Sequence, residues 1–379
     1  DGTGGGGSVK TLEDMGYTYV PHVPGWDHVV TNLDTVPVVA LALGPTAGLG
    51  AARVVASHYS IMVRGLSQLF AAGPAVAAAI GETIGREELG GSDVHTRNGV
   101  VDEEVASEAE AFAAAGRFLS YLPSSVDALA TRTTPTDPTD RREQALLAIV
   151  PRDPKQVYSM RQILGAVVDA GSLFEMGGRW GRAAITAFAR LDGWPVAVLA
   201  SDPSYLGGSW DAKTSEKVTR FVQLADRFRL PIVHLVDNPG FMIGGEAERT
   251  GTIRYGVEAM NALYKARVPL ASVIVRRAYG IAGSAMSNAE RFQYRFAWPS
   301  GDWGSLPIEG GVEVAYKSEL EAAEDPAAHL AAIRERLNRV RSPFRTAERF
   351  AVEDIIDPRD TRPLLCEFAS LAWRRLGAA

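Results

Sequence analysis

The sequence has few residues that could build a metal centre or a disulfide framework. Cys366 is the single cysteine among 379 residues, which excludes an internal disulfide framework and a cysteine-rich zinc site. His22 and His28 have no third ligand at metal spacing, so we predict no metal site. A lone cysteine also suits a reducing compartment, and we expect a cytoplasmic protein.

Long apolar runs and an excess of positive charge are also missing. No run reaches the roughly 18 apolar residues of a membrane span, and no signal peptide is visible. Acidic residues outnumber basic ones by 45 to 39, and the net charge of −6 gives no nucleic-acid footprint. Arginines cluster at 276–277, 334–341 and 374–375. We predict solvated helix faces there, although some of these arginines could meet an anionic cofactor such as coenzyme A.

Common active-site signatures are absent as well. The sequence contains no Walker A pattern, no Gly-x-Ser-x-Gly elbow, no Met-Lys-Met carrier signal and no recognisable triad. Asp237 follows a predicted strand and could act as an acid or base, but a cap or turn role fits it better. Residues 2–7 match GxGxxG, yet no strand precedes them, so we predict a flexible turn. If this chain is an enzyme, backbone amides are expected to do much of the catalysis.

Two similar segments organise the chain. In the first, a predicted strand over 37–44 leads into a turn of small residues (the first turn, 45–50) and a helix over 51–59. In the second, a strand over 270–275 leads into the second turn (276–283) and a helix over 284–291. Such a turn can direct free backbone N–H groups at one spot, where they can hold an oxyanion. Either copy alone also fits an ordinary α/β scaffold, but two copies indicate internal duplication.

The remaining patterns predict a layered α/β fold in two domains. Prolines with Ser, Thr and Asp over 123–140 are typical of a linker. We therefore predict an N-terminal domain over 1–122, a linker over 123–150 and a C-terminal domain over 151–379. Strands alternate with helices, as expected for α/β proteins. Further helices are predicted over 71–80, 103–122, 157–170, 213–228, 252–265, 325–341 and 364–376, and further strands over 60–64, 183–191, 196–200 and 231–236.

Several motifs together resemble one family, the carboxyltransferase (β) subunits of biotin-dependent acyl-CoA carboxylases in the crotonase superfamily. The resemblance covers essentially the whole chain in consistent order. It implies two crotonase-like (ββα superhelix) domains. Family members usually carry more residues upstream, so we expect the N-terminal domain to be incomplete here. The motifs are Gly44-Pro-Thr-Ala-Gly-Leu-Gly50, Met62-Val-Arg-Gly65, Gly73-Pro74, Glu88-Leu-Gly-Gly91 with His95, Asp237-Asn-Pro-Gly-Phe241, Arg277-Ala-Tyr-Gly280, Ala297-Trp-Pro299 and Gly310-Gly-Val-Glu313.

The resemblance also implies a reaction and partners. CO2 would pass from N1′-carboxybiotin, carried on a biotin carboxylase/biotin carrier (α) subunit, to the α-carbon of an acyl-CoA, so biotin and coenzyme A are the expected cofactors. The expected assembly is a hexamer, a trimer of dimers, either of identical chains or mixed with paralogous β subunits. Negative charge would develop on two oxygens, which gives a physical reason for two similar turns.

Site residues follow from the same resemblance. The amides of Gly48 and Leu49 would face the thioester carbonyl, and those of Ile281 and Ala282 would face the biotin ureido oxygen. Residues beside these amides are expected to bind the substrate, namely Thr46, Ala47, Gly280, Gly283 and Ser284.

The sequence departs from the family pattern at both turns. Leu49 and Ile281 stand where the family commonly has glycine, and a β-branched isoleucine does not easily adopt φ > 0. Gly283 and Ser284 stand where propionyl-type members often have an aromatic and an acidic residue. Smaller residues could widen the acyl pocket, so we hypothesise a larger or longer acyl-CoA.

Three alternatives stay open at this point. Leu49 and Ile281 would suit a catalytically weak homologue that serves as a scaffold within a mixed carboxylase complex. A biotin-dependent decarboxylase would use the same two turns in the opposite direction. A crotonase-type hydratase fits least well, because no pair of glutamates stands beside either turn.

Overall fold

The computed structural model describes residues 9–20, 22–135, 137–290 and 292–377. They group into two compact units, one of the described residues up to 130 together with 176–180, and one of those over 131–175 and from 181 onward. The units divide between Ala130 and Thr131, inside the predicted linker, and the domain bounds themselves stay a prediction. The GxGxxG match over 2–7 lies outside the described residues. Among the described residues, no helix combines the length and apolar character needed to cross a membrane.

Unit 1 contains two small parallel sheets with helices. The strands are β1 (Val39–Ala42), β2 (Pro45–Ala47), β3 (Tyr59–Val63), β4 (Gln68–Phe70) and β5 (Glu103–Val105). The helices are α1 (Val9–Met15), α2 (Trp26–Thr35), α3 (Leu49–Ala56), α4 (Pro74–Ala79), α5 (Arg86–Gly90), α6 (Ser92–Asn98) and α7 (Glu108–Leu119). One sheet has the order β1-β3-β5, and β2 pairs with β4 in the other.

The core of unit 1 lies around α3 and the central strand β3. Every residue of β3 is buried, as expected for a central strand of a parallel sheet. Tyr59 of β3 stacks on Phe118 of α7, with ring centroids 4.8 Å apart. Leu69 of β4 packs with Ala51 and Val54 of α3 in one apolar cluster. This cluster attaches the helix after the first turn to the short strand β4.

Unit 2 is built on one large sheet. Its strands are β6 (Phe174–Met176), β7 (Ala184–Leu191), β8 (Trp194–Ser201), β9 (Ile232–Asn238), β10 (Leu270–Tyr279), β11 (Gln293–Ala297), β12 (Asp302–Gly304) and β13 (Asp354–Ile355). Its helices are α8 (Met160–Val167), α9 (Ala212–Arg227), α10 (Gly245–Arg249), α11 (Thr252–Lys265), α12 (Gly280–Gly283), α13 (Ile308–Ala315), α14 (Lys317–Ala322), α15 (Pro326–Asn338), α16 (Pro343–Ala347) and α17 (Thr361–Arg375). The strand order is β13-β11-β10-β9-β8-β7-β6, with β12 also paired to β10.

From β8 to β13 the strands of the unit 2 sheet pair in parallel, and β7 joins β8 as a hairpin. Strands β8, β9, β10 and β11 pair in parallel, whereas β7 and β8 are antiparallel. Asp192 and Gly193 join that pair with φ of 52° and 76°, the left-handed angles that a tight hairpin needs. The hairpin predicted from Asp192-Gly193 is therefore confirmed.

Helices cover both faces of this sheet. Val233 of β9 and Val273 of β10 pack with residues of α8 and α17 in one apolar cluster. On the opposite face, Phe188 of β7 contacts Phe221 of α9, with ring centroids 5.9 Å apart. Because side chains alternate along a strand, both faces of the central strands are buried.

Most predicted elements are confirmed, but two helices differ. Residues 103–105 form β5 beside β3, and the helix begins only at Glu108, after Ser107 accepts a hydrogen bond from the Glu110 amide. The helix predicted over 284–291 is wrong for its described residues, 284–290, because the helix here is the single turn α12, which ends at Gly283. The segment after it is held by contacts to a distant loop instead, since Asn288 Nδ2 donates to the Val268 carbonyl at 2.5 Å.

Candidate active site

The first turn, 45–50, contains the short strand β2, then Gly48 and the first two residues of the helix α3. Gly48 precedes the helix with φ of 57° and ψ of −123°, a conformation that only glycine adopts without strain. A Cβ on Gly48 would meet no atom within 4 Å, so the backbone angle rather than space requires glycine here. The turn therefore depends on this glycine to start α3 directly after β2.

The backbone amides of the first turn are not equivalent. The Gly48 amide donates to the Phe70 carbonyl of β4 at 3.2 Å. The Leu49 amide lies in the first turn of α3, where N–H groups have no acceptor within the helix, and the first intrahelical bond runs from Ala52 to the Gly48 carbonyl at 3.0 Å. An anion at this turn would find the Leu49 amide freer than the Gly48 amide, and the positive end of the helix dipole would favour it.

The second turn is the end of β10 followed by the single turn α12. Residues 276–279 of this turn still belong to the strand, and Gly280 takes φ of 61°. The Ile281 and Ala282 amides lie in the first turn of α12, where donors have no helical acceptor. The Ser284 hydroxyl donates to the Ile281 carbonyl at 2.7 Å and so closes the turn from its other side.

Leu49 and Ile281 do not have the strain that their side chains suggest. In the described residues, left-handed φ outside glycine occurs at Asp192, Leu206, Arg229 and Phe350. In each turn the left-handed angle falls on the preceding residue, Gly48 or Gly280. Both side chains are exposed, by 41% for Leu49 and 51% for Ile281. The substitutions therefore change the surface beside the amides and leave the backbone path intact.

Other residues predicted to bind substrate have different surroundings. Thr46 is buried, and its hydroxyl donates to the Gly44 carbonyl at 3.2 Å, while Ala47 is half-buried. A Cβ on buried Gly283 would lie 2.5 Å from the Ala278 carbonyl carbon, so this glycine is needed for packing. Ser284 and Gly280 are exposed at the turn. A substrate role for these residues stays a prediction. Of the pair Gly283 and Ser284, Ser284 is better placed to face a ligand, because it is exposed.

Asp237 anchors the base of the second turn. Its fully buried carboxylate accepts hydrogen bonds from Arg276 Nε at 3.1 Å, Arg277 Nε at 2.6 Å and the Tyr158 hydroxyl at 2.9 Å. Burial, with the Asp237 charge beside it, raises the pKa of Tyr158 well above its usual range. Because the carboxylate is enclosed and fully paired, Asp237 is neither the cap nor a free acid or base.

The same cluster corrects the prediction for the adjacent arginines. Arg276 and Arg277 lie in β10 rather than on a solvated helix face. Arg276 is buried and also donates to the Gln156 carbonyl at 2.9 Å, while Arg277 donates to the Gly207 carbonyl at 2.7 Å. The sequence signal for this cluster was an aspartate directly after one predicted apolar strand and two arginines directly after another.

His234 lies behind the segment that follows the second turn. It is 2% exposed in β9, and its ring bonds the backbone of Ala285. Burial lowers the pKa of His234 to about 4, so the ring is neutral near pH 7. Sequence analysis missed this contact. Across the described residues, no cluster of His, Cys, Asp or Glu could hold a metal ion.

The chain is similar to a known family and to proteins of known function. Residues 28–377 match the family described as "Carboxyl transferase domain". The propionyl-CoA carboxylase carboxyltransferase subunit of Haloferax mediterranei is 35% identical over 331 residues, covering 86% of this chain and 64% of that protein. The methylmalonyl-CoA carboxyltransferase 12S subunit of Propionibacterium freudenreichii subsp. shermanii is 34% identical over 331 residues, covering 86% and 63%. The chain thus spans less than two-thirds of the length of these two relatives.

Solved structures show the same fold. The crystal structure of the transcarboxylase 12S hexamer, with methylmalonyl-coenzyme A and methylmalonic acid bound, superimposes with a TM-score of 0.87 at 32% identity, covering 92% of this chain and 68% of that one. A single-chain, multi-domain long-chain acyl-CoA carboxylase gives 0.78 at 26% identity, covering 91% and 35%. The predicted α/β, crotonase-like fold is confirmed.

Proposed function

We propose that this chain, which belongs to the carboxyl transferase domain family, transfers CO2 from carboxybiotin to the α-carbon of an acyl-CoA. The observation that carries the proposal is the pair of turns. Each has a left-handed glycine, Gly48 or Gly280, followed by backbone amides at the start of a helix. Relatives of this chain are named as carboxyltransferase subunits of propionyl-CoA carboxylase and methylmalonyl-CoA carboxyltransferase.

The first turn would bind the thioester of the acyl-CoA. When the α-proton leaves, negative charge moves to the thioester oxygen, and the Leu49 amide, with a share of the Gly48 amide, would stabilise it. Loss of one such donor typically costs about 3 kcal/mol of transition-state stabilisation. The amides are fixed by β2 and α3 before the substrate arrives, so little reorganisation is needed during the reaction.

The second turn would bind the carboxybiotin that a partner subunit delivers. The residues fit this group, because a ureido oxygen is an acceptor and the Ile281 and Ala282 amides are donors beside exposed Gly280. When bound, carboxybiotin supplies both the CO2 and the base for the α-proton. The chain needs no acidic or basic side chain of its own for this, which agrees with the enclosed position of Asp237.

We propose a larger or longer acyl-CoA as the substrate. Exposed Ser284 stands where propionyl-type members often carry an acidic residue, and a small neutral side chain would leave room for an apolar chain. Gly283 does not provide such room, because it is buried against Ala278. The similarity to a structure named as a long-chain acyl-CoA carboxylase supports the proposal.

We propose that the chain works in a cytoplasmic oligomer, a hexamer of identical or paralogous β subunits, with a biotin carboxylase/biotin carrier α subunit. Support comes from the similar 12S protein, whose structure is described as a hexamer. The exposed apolar side chains of Leu49 and Ile281 favour a second candidate function, a weakly active scaffold within a mixed complex. A biotin-dependent decarboxylase is the remaining alternative.

The test is carboxylation by the purified chain with its biotin-carrying partner, ATP, labelled bicarbonate and acyl-CoAs from short to long. We expect label in one class of long acyl-CoA. Incorporation into short chains instead would contradict the substrate proposal. No incorporation by an assembled complex would favour the scaffold. Release of CO2 from a malonyl-type CoA without net carboxylation would favour the decarboxylase.

A further inference from the structure

We infer that His95 is a positioning residue for the first turn, acting through the strand β4. His95 Nε2 bonds the Leu69 carbonyl at 2.7 Å. A carbonyl only accepts, so Nε2 carries the proton and donates. The Nδ1 atom of the same ring is buried and has no hydrogen-bond partner among the described residues. The ring is therefore held in this part of the molecule by one directed contact.

The Leu69 carbonyl needs a donor because of its place in the sheet. β4 is only three residues long and pairs in parallel with β2, with Thr46 opposite Leu69 and Ala47 opposite Phe70. Successive carbonyls of a strand point to opposite edges, and the Phe70 carbonyl faces β2, where it accepts from Gly48. The Leu69 carbonyl therefore faces the outer edge, where a buried acceptor without a donor would be costly.

The junction of α5 and α6 is shaped to close that outer edge. A Cβ on Gly90 would lie 2.2 Å from the Leu69 carbonyl oxygen, and one on Gly91 would lie 2.6 Å from the Glu87 carbonyl oxygen. Gly91 also bridges Gln68 of β4, and the Gln68 side chain contacts Glu87. Glycines thus let the junction press against β4, and this brings His95 within reach of Leu69.

These contacts connect His95 to the candidate oxyanion hole. His95 fixes the outer edge of β4 at Leu69, and the next residue, Phe70, holds the Gly48 amide. Leu69 also packs on α3, the helix that begins with Leu49. A change at His95 is expected to loosen β4 and to shift both the Gly48 and Leu49 amides without touching the substrate. This consequence for catalysis rests on the proposed function.

The test compares two substitutions that differ in where they place a donor. In His95→Gln the side-chain nitrogen can replace Nε2, whereas in His95→Asn it replaces only Nδ1, which has no partner. We expect H95N to lower kcat/KM for the acyl-CoA about tenfold or more and to leave KM for a free biotin substrate unchanged. H95Q should recover most of that loss. Phe118→Leu, which weakens the stacking on Tyr59, serves as the matched control for general destabilisation of unit 1.

A second measurement does not need activity. In hydrogen exchange, H95N should speed exchange of the Gly48 amide about tenfold and leave β3 unaffected, and H95Q should not. Equal behaviour of H95N and H95Q, or equal losses in H95N and F118L, would overturn the inference. If the wild-type chain shows no carboxyl transfer, the proposed function fails, while the exchange data still decide the role of His95.

Discussion

The two turns present the same kind of amide on supports of different strength. The first begins from β2, three residues long, whose one partner among the described strands is β4. The second ends β10, a ten-residue strand of the large sheet, above the enclosed Asp237 cluster. The helices differ in the opposite sense to the strands, since α3 in the first turn has eight residues and α12 in the second has only four. The second turn is therefore supported mainly by the strand that precedes it, β10, and the first turn mainly by the helix that follows it, α3.

The largest effect on the difference between the two turns is expected from removing the Asp237 carboxylate, which anchors the second turn. Asp237→Asn would leave buried Arg276 and half-buried Arg277 without their counter-charge, and losing one partner of a buried pair typically costs about 3–5 kcal/mol. We expect the free energy of unfolding of unit 2 to fall by about that amount, measured by urea titration with hydrogen exchange to separate the units. The control is Asp357→Asn, which breaks a pair with half-buried Arg359, whose side chain is 35% exposed, and should change stability by about 1 kcal/mol or less. Equal effects of both variants would show that the cluster does not anchor the sheet.

Substituting the left-handed glycines should show that both turns depend on the same backbone device. Gly48→Ala and Gly280→Ala are each expected to lower kcat about a hundredfold, because a displaced oxyanion donor costs about 3 kcal/mol. The measurement is steady-state carboxylation, with circular dichroism to confirm folding. Gly116→Ala in α7 and Gly165→Ala in α8 are the matched controls, since a Cβ added to either glycine would meet no atom within 4 Å. A G48A variant as active as G116A would remove Gly48 from the site.

A fall in pH should lower the stability of unit 2 more than that of unit 1. The pKa of His234 falls to about 4 in the folded chain because the ring is buried, from about 6.5 when unfolded. The unfolded chain therefore binds the extra proton first, and this contribution to stability is present above about pH 6.5 and is lost as pH falls toward 4. At pH 5 the loss is about 2 kcal/mol.

The measurement is the urea midpoint of unit 2 at pH 7 and pH 5, in wild type and His234→Gln. We expect the variant to be less sensitive to this change of pH than the wild type. His329→Gln, at a histidine of α15 whose side chain is 41% exposed, is the control and should keep the wild-type pH dependence. An unchanged pH dependence in H234Q would show that His234 is not the group responsible.

The smallest effect is expected from returning the departures to glycine. Leu49→Gly and Ile281→Gly should change kcat by about threefold or less, which is about 0.7 kcal/mol, because neither residue carries the left-handed angle. The measurement is carboxylation of the same acyl-CoA panel by each variant and by wild type. A rise of tenfold or more in either variant would instead support the scaffold alternative, in which the side chain blocks the amides.

Much of the fold could be predicted from the sequence because it depends on local patterns. The apolar stripe of α9 and the Asp192-Gly193 hairpin determine their own structure. β5 was missed because its residues, Glu103–Val105, become a strand only beside β3. The segment after Ser284 was predicted as a helix because its composition permits one, but Asn288 finds a better acceptor at Val268. In both cases a distant partner decided the structure.

For the candidate site, the positions of the two turns could be predicted, but not what holds them. Small residues after apolar strands indicated Gly48 and Gly280, and the structure shows why these two need to be glycine. The contact of His95 with Leu69 joins a side chain to a carbonyl 26 positions away, and carbonyls leave no mark in a sequence. The same limit applies to His234 and Ala285.

Placing the left-handed angle on Gly48 and Gly280 has a practical consequence for protein engineering. The donors beside the ligand are main-chain groups, including the amides of residues 49 and 281, whose own side chains are exposed and whose backbone is helical. The backbone path of the polar contact therefore depends on Gly48 and Gly280, and the shape of its surroundings on the side chains at 49 and 281. A library randomised at positions 49 and 281 alone would vary the side chains beside the bound molecule and keep the backbone conformation that binds it.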